Sequence, residues 1–436
     1  MTMRRLARSL PDADSAGRWL FLFGVFLLVS GDFPRFPFGV AERKLVLLVF
    51  SWPKLYMVCV CSALLLRLMT RGADLSRLTL ARPLYVPFGI VAAAFLLSAL
   101  FSDRRVLALA GFLYFAEILF FIFAFSVFLD DDGMPRRCVR AVIAAVFFLA
   151  ARVMAWRWGE GLDVGAYHVM NNSWVGKLQI SWALNLFAPI VFTASLGSGD
   201  RPWRWGAGLA WAAAAGAVFI LFSRAGITAF AAGTAAILIF RARDWRRWVW
   251  PAALSVILVL GVAAKSRFMT GYVARTTGRF YEDLGFIRRV SIWKETLGMI
   301  RDRPIFGIGL GTYDDLAYTR YRTVNDEASG RRYFRGGWSA HNLLLHVLSE
   351  TGFVGLAACV YLWFRVARLL LAGGPGGAPP EGRQWSRAAL AGLAAFFMLS
   401  LTENPMAARV HESLRMNLAL WLMVLVCLAM RKEEDV

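Results

Sequence analysis

The sequence predicts an all-α, polytopic membrane protein: a bundle of about 12 transmembrane helices with both termini in the cytoplasm. Three observations support this prediction, namely the composition, the length of the apolar runs and the distribution of arginine. The chain has 436 residues, of which 58% are hydrophobic, and a mean hydropathy of +0.54. Soluble domains are usually about 45–50% apolar, so this composition indicates a lipid environment.

Twelve apolar runs are long enough, or nearly long enough, to form membrane spans, since a span needs roughly 20 mostly apolar residues. They lie at approximately 18–30, 45–66, 84–101, 106–129, 138–154, 178–196, 204–222, 225–240, 248–264, 352–371, 387–401 and 414–430. We therefore divide the chain into three parts: spans 1–9 in residues 1–264, a large loop at 265–340, and spans 10–12 with the C-terminus in 341–436.

The basic residues set the predicted orientation, because cytoplasmic loops are enriched in Lys and Arg. With the N-terminus inside, every inside segment holds at least two cations, as the following pairs illustrate: Arg4 and Arg5, Arg67 and Arg71, Arg136 and Arg137, Arg201 and Arg204, Arg246 and Arg247, Arg365 and Arg368, Arg431 and Lys432. The formal charge of +20 thus indicates membrane topology rather than binding to nucleic acid.

The large outside loop, residues 265–340, is basic for another reason. It contains 14 Lys and Arg against 8 Asp and Glu, and a loop of this length is largely exempt from the topology rule. Two interpretations stay open, an anionic partner or simple solvation. Phe286, Val290, Trp293, Leu297 and Ile300 recur at helical spacing and predict an amphipathic helix with one apolar face.

That predicted helix ends before Pro304, since a residue that precedes proline is disfavoured in helical conformation. Three glycines follow, Gly307, Gly309 and Gly311, and we interpret them as backbone turns rather than a nucleotide-binding loop. A second helix is expected to start near Ser339 and to run through His341 into the tenth span.

Arginines near the outside surface are candidate anion ligands. Arg224 lies between two hydrophobic runs, where a charge is costly unless it faces a cavity or a partner. It is either an anion ligand or a cation that reaches the membrane surface. Arg288 and Arg289 open the amphipathic helix, and the planar guanidinium fork suits phosphate oxygens.

His341 is the candidate general base. A helix N-terminus disfavours the imidazolium form, which suits a proton acceptor near neutral pH, although an isolated histidine is more often structural. Asn342, His346 and Glu350 follow at i, i+4 and i+8 as a polar stripe. We predict that Asn342 and His346 bind substrate.

The remaining candidates are weaker. Lys177, Trp338 and Arg409 are predicted to contact substrate from outside loops or their edges. We interpret the acidic run 130–132 as a solvated inside loop. No metal site is expected, since neither the five cysteines nor the outside acidic residues have metal-ligand spacing.

Together these residues resemble the O-antigen ligase and O-antigen polymerase family of bacterial inner-membrane glycosyltransferases. The resemblance is carried by Arg289 and Trp293, by the run DRPIFGIGLG at 302–311, by His341-Asn342 and by the run ETG at 350–352. Ser223-Arg224 matches an upstream arginine position of the family, and the arrangement of spans around one large loop extends the likeness.

The resemblance implies a GT-C-like enzyme of the bacterial inner membrane with a periplasmic active site. It implies transfer of a glycan from undecaprenyl diphosphate to an acceptor, which in ligases is lipid A–core oligosaccharide. The reaction would be inverting, with no cofactor or metal, and the enzyme a monomer surrounded by membrane lipids. His341 would be the base, while Arg224 and Arg289 would bind the diphosphate.

Other activities stay open. Within the family, an O-antigen polymerase or a protein O-oligosaccharyltransferase uses the same donor with another acceptor. We prefer a ligase because the chain has no added soluble domain and its outside loop is basic. A lipid-linked glycan transporter is the alternative from another class, although transporters often carry internal repeats, and we find none.

Overall fold

The computed structural model describes residues 13–30, 55–71, 80–159, 177–197, 200–221, 224–240, 284–321, 339–372, 382–401, 404 and 411–434. These residues form α-helices joined by turns, and no β-strand occurs among them. The helices are α1 (Ala13–Ser30), α2 (Leu55–Arg71), α3 (Tyr85–Phe101), α4 (Arg105–Leu129), α5 (Met134–Gly159), α6 (Lys177–Leu196), α7 (Arg201–Ile220), α8 (Arg224–Phe240), α9 (Leu284–Asp302), α10 (Tyr313–Thr319), α11 (Leu343–Leu371), α12 (Gly382–Ser400) and α13 (His411–Glu434).

Described helices overlap eleven of the twelve predicted spans, although only the part of the second span from Leu55 onward is described, and the run at 248–264 lies outside the described residues. Six are long and apolar enough to cross a membrane by length and composition: α1, α3 with its preceding turn, α4, α5, α11 and α13. Helices α2, α6 and α8 contain shorter apolar stretches, at Leu55–Thr70, Ile180–Leu196 and Ala225–Ile239. The described part of the chain is therefore all-helical, and its apolar helices indicate a multi-pass membrane protein.

Packing fixes the relative directions of the helices next to the candidate site. Trp182 on α6 contacts Phe396 on α12 with ring centroids 5.3 Å apart, whereas Gly197, just past the other end of α6, lies near Gln384 at the start of α12. Helices α6 and α12 are therefore antiparallel.

Helix α8 runs parallel to α6. Gly233 lies near Pro189, and further along both helices Ile237 and Phe192 share one apolar cluster. The first residue of α8, Arg224, the first residue of α6, Lys177, and the last turn of α12 consequently lie at the same end of the bundle.

In the acidic run at 130–132, which the sequence predicted to be a solvated loop, Asp132 is exposed but Asp130 and Asp131 are not solvated. Asp131 makes a bidentate contact with Arg67 and lies 3.3 Å from a guanidinium nitrogen of Arg18. Asp130 accepts from Lys432 at 3.0 Å. The two carboxylate side chains are only 7% and 10% exposed, so they join α1, α2 and α13 at one end of the bundle, which we call the Asp131 end.

The interhelical polar contacts at the opposite end include Asn342 with Leu401, Ser102 with Ile308 and Arg415 with Leu28. We call this the His341 end. In each of these contacts, as in those of the Asp131 end, both partners lie on the same side of the membrane in the predicted topology. The helix ends thus fall into two groups that agree with alternating spans.

Helix α9 forms as predicted, but its buried face differs from the predicted stripe. Ile292, Thr296 and Met299 are buried, whereas Leu297 is 54% exposed. The apolar periodicity was misleading because a small hydroxyl side chain, Thr296, occupies a core position and donates its hydroxyl hydrogen to the Ile292 carbonyl at 2.8 Å.

Candidate functional site

The site is built around a break in α11 at Gly352. This residue has φ +64° and ψ −169°, a conformation that essentially only glycine adopts. The break separates residues 343–351 from the part that begins where the tenth span was predicted. It also releases backbone groups that a continuous helix would pair internally.

The glycine-containing segment, residues 302–311, takes up those groups through four backbone hydrogen bonds. The N–H groups of Ile308 and Gly309 donate to the carbonyls of Ser349 and Glu350, both at 2.9 Å. In return the N–H groups of Phe353 and Val354 donate to the carbonyls of Pro304 and Ile305, at 2.8 and 3.2 Å. We call this reciprocal pairing the backbone clasp.

Glycine is required at two positions of the backbone clasp. A Cβ at Gly352 would lie 2.2 Å from the Ile305 carbonyl oxygen, and one at Gly307, which has φ +72°, would lie 2.3 Å from the Glu350 carbonyl. Real Cβ atoms do not approach backbone so closely, so a side chain at either position would force the two segments apart.

Two serines, one in α3 and one directly after it, form hydrogen bonds with the backbone clasp. Ser98 donates to the Glu350 carbonyl at 2.7 Å and Ser102 donates to the Ile308 carbonyl at 2.6 Å. Both serines are buried, so these bonds satisfy polar groups that would otherwise be costly to bury. The clasp is thereby fixed to the rest of the bundle.

His341 lies in the short connection before α11, and not on the helix as the sequence predicted. Its φ of +47° places it in the left-handed region, which costs a residue other than glycine about 1–2 kcal/mol. Asn342 is the N-cap of α11 and accepts from the Leu345 N–H at 3.0 Å. This cap directly follows His341 and fixes the start of the helix at Leu343.

The N–H and the carbonyl group of Ala340, the residue before His341, both form hydrogen bonds with side chains. The indole N–H of Trp293 on α9 donates to the Ala340 carbonyl at 3.0 Å. The Ala340 N–H donates to Nδ1 of His346 at 3.4 Å. His341 itself donates its backbone N–H to Ser339 Oγ at 3.3 Å.

The side chains of His346 and Glu350 form a buried polar pair next to the Ala340 peptide. His346 Nε2 is 3.4 Å from Glu350 Oε2, and both side chains are 3% exposed. The Tyr313 backbone N–H donates to Glu350 Oε1 at 3.1 Å, and the Tyr313 ring packs on His346 at 4.9 Å. Burial raises the pKa of the Tyr313 hydroxyl, which lies 2.7 Å from Thr296 Oγ1.

Exposed ion pairs join the α3–α4 turn to the glycine-containing segment. Arg303 lies 2.6 Å from Asp103, and Arg320 lies 3.6 Å from the same carboxylate. Tyr321 donates to Asp302 at 2.7 Å. Burial, followed by this hydrogen bond and the charge of Asp302, raises the pKa of Tyr321 to about 12.

The structure brings several predicted site residues to one end of the bundle. Asn342 Nδ2 donates to the Leu401 carbonyl just past α12. Because α8 and α6 both begin at that end, the backbones of Arg224 and Lys177 start on the same side as His341. Their side chains are not among those described.

The other predicted residues divide as follows. Arg289 is partly exposed and lies one helical turn before Trp293, so the two share the face of α9 that reaches Ala340. His346 is buried and contacts protein groups. Arg288 lies on α9 with its side chain outside the described residues, as do Trp338 and Arg409 entirely.

Sequence reasoning missed Tyr313, Ser98 and Ser102. Tyr313 follows the third glycine closely, and an aromatic residue there was a usable signal. The two serines gave none, since isolated serines in an apolar span usually bond within their own helix.

The arrangement places the half-buried His341 on a fixed backbone next to a helix that bears arginine. An imidazole can accept a proton from a hydroxyl, while guanidinium groups can hold an anionic leaving group. Within the described part of the chain, no group of three or more His, Cys, Asp or Glu side chains has the arrangement of a metal site.

Comparison with known proteins gives one family. No curated protein matches the chain. The family model described as O-antigen ligase matches residues 208–360, a region that includes Arg224, α9, the glycine-containing segment, His341 and the break at Gly352. The match over this domain supports the resemblance to the O-antigen ligase superfamily.

Proposed function

We propose that the protein is an O-antigen ligase that transfers O-antigen polysaccharide from undecaprenyl diphosphate to lipid A–core oligosaccharide at the periplasmic face of the inner membrane. The observation that carries this proposal is the convergence, within the matched domain, of the glycine-containing segment, His341 and α9. Residues 312–338 separate α9 and the glycine-containing segment from His341 in the sequence, yet the backbone clasp and the contacts of Ala340 bring them together.

Each proposed role follows from the chemistry of the reaction. A lipid diphosphate is already a good leaving group, so the enzyme must mainly stabilise its charge, which Arg224 and Arg289 would do. Arg288, Lys177 and Arg409 are further candidate ligands for donor or acceptor phosphates. The acceptor hydroxyl is a weak nucleophile, and His341 would remove its proton.

The contact pattern supports a single functional surface. Arg289 lies one turn from Trp293, whose indole contacts the carbonyl of Ala340 beside His341. Arg224 begins α8 at the end of the bundle where Asn342 meets Leu401. In the predicted topology this end faces the periplasm, where a glycan on a lipid carrier would be used.

The proposal is tested with purified protein in lipid nanodiscs, supplied with lipid-linked glycan and with either core–lipid A or a pilin-like protein. Product masses identify the acceptor: a glycan on core–lipid A supports the ligase. A glycan on the protein or a longer lipid-linked glycan would instead assign one of the other two family activities.

Two variants test the assigned roles in the same assay. His341→Ala is expected to abolish transfer while the protein stays in the membrane, and full activity would remove His341 as the base. Arg289→Lys should impair transfer despite its conserved charge, because the planar fork is lost. Arg301→Lys, an exposed position at the other end of α9, is the matched control.

The expected independence from metal is tested by transfer in EDTA. Activity that survives extensive chelation supports a reaction stabilised by arginine alone. Activity that is lost and then restored by magnesium would contradict it.

A further inference from the structure

The backbone on the N-terminal side of His341 is fixed by two side chains from different parts of the fold. Trp293, on α9, donates to the carbonyl of Ala340. His346, one turn into α11, accepts from the N–H of the same residue. Both polar groups of Ala340 are therefore held by side chains, and neither depends on regular helical pairing.

We propose that His346 and Trp293 are positioning residues that hold His341 in its left-handed conformation and so aim the imidazole at the acceptor hydroxyl. This inference rests on the proposed transfer reaction. It also gives His346 a different role from the substrate-binding role that its place in the polar stripe predicted.

The burial of His346 supports positioning rather than direct contact with substrate. Its side chain is 3% exposed, it packs against the ring of Tyr313, and its Nδ1 is occupied by the Ala340 N–H. A glycan or a lipid diphosphate would have to displace these contacts to reach it.

Glu350 contributes by orienting the imidazole ring of His346. Because Nδ1 of His346 accepts a hydrogen bond, the ring hydrogen of the neutral imidazole lies on Nε2. That atom lies 3.4 Å from Glu350 Oε2 without a hydrogen bond, so it is the charge of the nearby carboxylate that favours the ring orientation in which Nδ1 can accept. Glu350 is in turn held by the N–H of Tyr313.

A left-handed residue needs this kind of support. The conformation is unfavourable for histidine, and in a short connection the backbone would relax to another region if its neighbours were not held. Misplacement of a catalytic group by about 1 Å can reduce turnover about 100-fold. Loss of the hold on Ala340 should therefore slow the chemical step more than it weakens substrate binding.

Two substitutions at position 346 distinguish positioning from other roles. In His346→Asn the amide oxygen occupies the δ position and can accept from Ala340 N–H. In His346→Gln the amide lies one bond further, near the former Nε2, and the acceptor at the δ position is lost. Both variants are polar and lack the imidazole, so they differ chiefly in the hydrogen bond under test.

We expect His346→Asn to stay within about threefold of the wild-type kcat, and His346→Gln to lose about 10- to 100-fold in kcat, with the KM for lipid-linked glycan changed less than about twofold. Equal kcat values for the two variants would overturn the proposal. So would a loss confined to KM, which would instead support direct substrate binding by His346.

A variant at another position, Trp293, keeps the test informative if the buried position 346 does not tolerate substitution. Trp293→Phe removes the indole donor to the Ala340 carbonyl and keeps an aromatic ring on α9. It should lower kcat in the same manner, again without a matching change in KM, and an unchanged kcat would contradict a role for Trp293.

Amide hydrogen exchange of residues 339–345 in the intact protein separates this inference from the proposed function. Ala340 should exchange faster in His346→Gln than in His346→Asn. Equal exchange rates in the two variants would contradict the proposed hydrogen bond between Ala340 and His346, whatever the rate of glycan transfer. If the two variants differ in exchange but the wild-type protein transfers no glycan, the proposed transfer reaction is overturned. The proposed hydrogen bond between Ala340 and His346 then still stands.

Discussion

His341 combines a proposed chemical role with an unfavourable backbone conformation. Its φ of +47° is the only positive φ at a residue other than glycine within the described part of the chain. Strained residues of this kind persist when the surrounding contacts determine their conformation, and they concentrate at functional sites. At this position stability and activity should therefore respond to different properties of the side chain.

A comparison of His341→Gly with His341→Ala tests this separation. Both variants lack the imidazole and should transfer no glycan. Glycine adopts the left-handed conformation without strain, so His341→Gly should be more stable than His341→Ala by about 1 kcal/mol. Thermal unfolding of the two purified proteins measures the difference, and a more stable alanine variant would show that residue 341 is not left-handed.

Tyr321 gives a prediction on pH. Its pKa is raised to about 12 in the folded protein, from a reference value of 10.0. A group whose pKa is raised on folding contributes stability that is complete below the unfolded pKa and is lost as the pH rises through the folded pKa. Wild-type stability should therefore fall between about pH 10 and 12 in part through Tyr321.

The measurement is the thermal midpoint as a function of pH for wild type and for Tyr321→Phe. The variant cannot ionise, so the stability difference between the two proteins should shrink across this interval. Tyr85→Phe, at an exposed tyrosine of α3, is the control. Parallel curves for wild type and Tyr321→Phe would contradict the assignment.

At the scale of elements, the backbone clasp depends on the break in α11. The break supplies unpaired N–H and carbonyl groups, and the segment at 302–311 satisfies them. Because protein backbone in an apolar environment must have its hydrogen bonds satisfied, neither element is stable in this conformation without the other.

Gly352→Ala should consequently be severely destabilising. Its Cβ would lie 2.2 Å from the Ile305 carbonyl oxygen, and the backbone conformation is unfavourable for alanine. We expect a loss of roughly 3 kcal/mol or more, seen as a lower thermal midpoint or reduced yield in the membrane. Gly89→Ala, whose Cβ would meet nothing within 4 Å, is the control and should be neutral or slightly stabilising.

The sequence predicted the helices better than it predicted their contacts. A helix in the lipid bilayer must be apolar along its length. The helices could therefore be located in the sequence within a few residues. The clasp could not be predicted, since it pairs two distant segments through backbone atoms that no side-chain pattern encodes. Thr296 misled the prediction for α9, because a hydroxyl bonded to its own helix can occupy a core position.

At the scale of the whole molecule, the two ends of the bundle are held by different interactions. The carboxylates of the Asp131 end are about one-tenth exposed or less, whereas Arg303 and Asp103 at the His341 end are 46% and 52% exposed. Exposed ion pairs contribute little and are screened by salt. The loss of one partner from a buried pair is costly.

Asp131→Asn should therefore lower the free energy of unfolding by about 2–4 kcal/mol, since two guanidinium groups lose their shared carboxylate. Asp200→Asn removes the exposed partner of Arg140 and should cost less than about 1 kcal/mol. Thermal unfolding in the same lipid environment provides both values. Equal midpoints would show that the buried carboxylates do not hold the helices together.

The break at Gly352 also has a consequence for biogenesis. Residues 304–309 leave the ribosome well before residues 349–354, with which they pair. The earlier segment therefore cannot form these hydrogen bonds until residues 349–354 have been synthesised. Assembly of the His341 end is thus a late step of maturation, and a nascent chain truncated before residue 354 should expose this segment to protease.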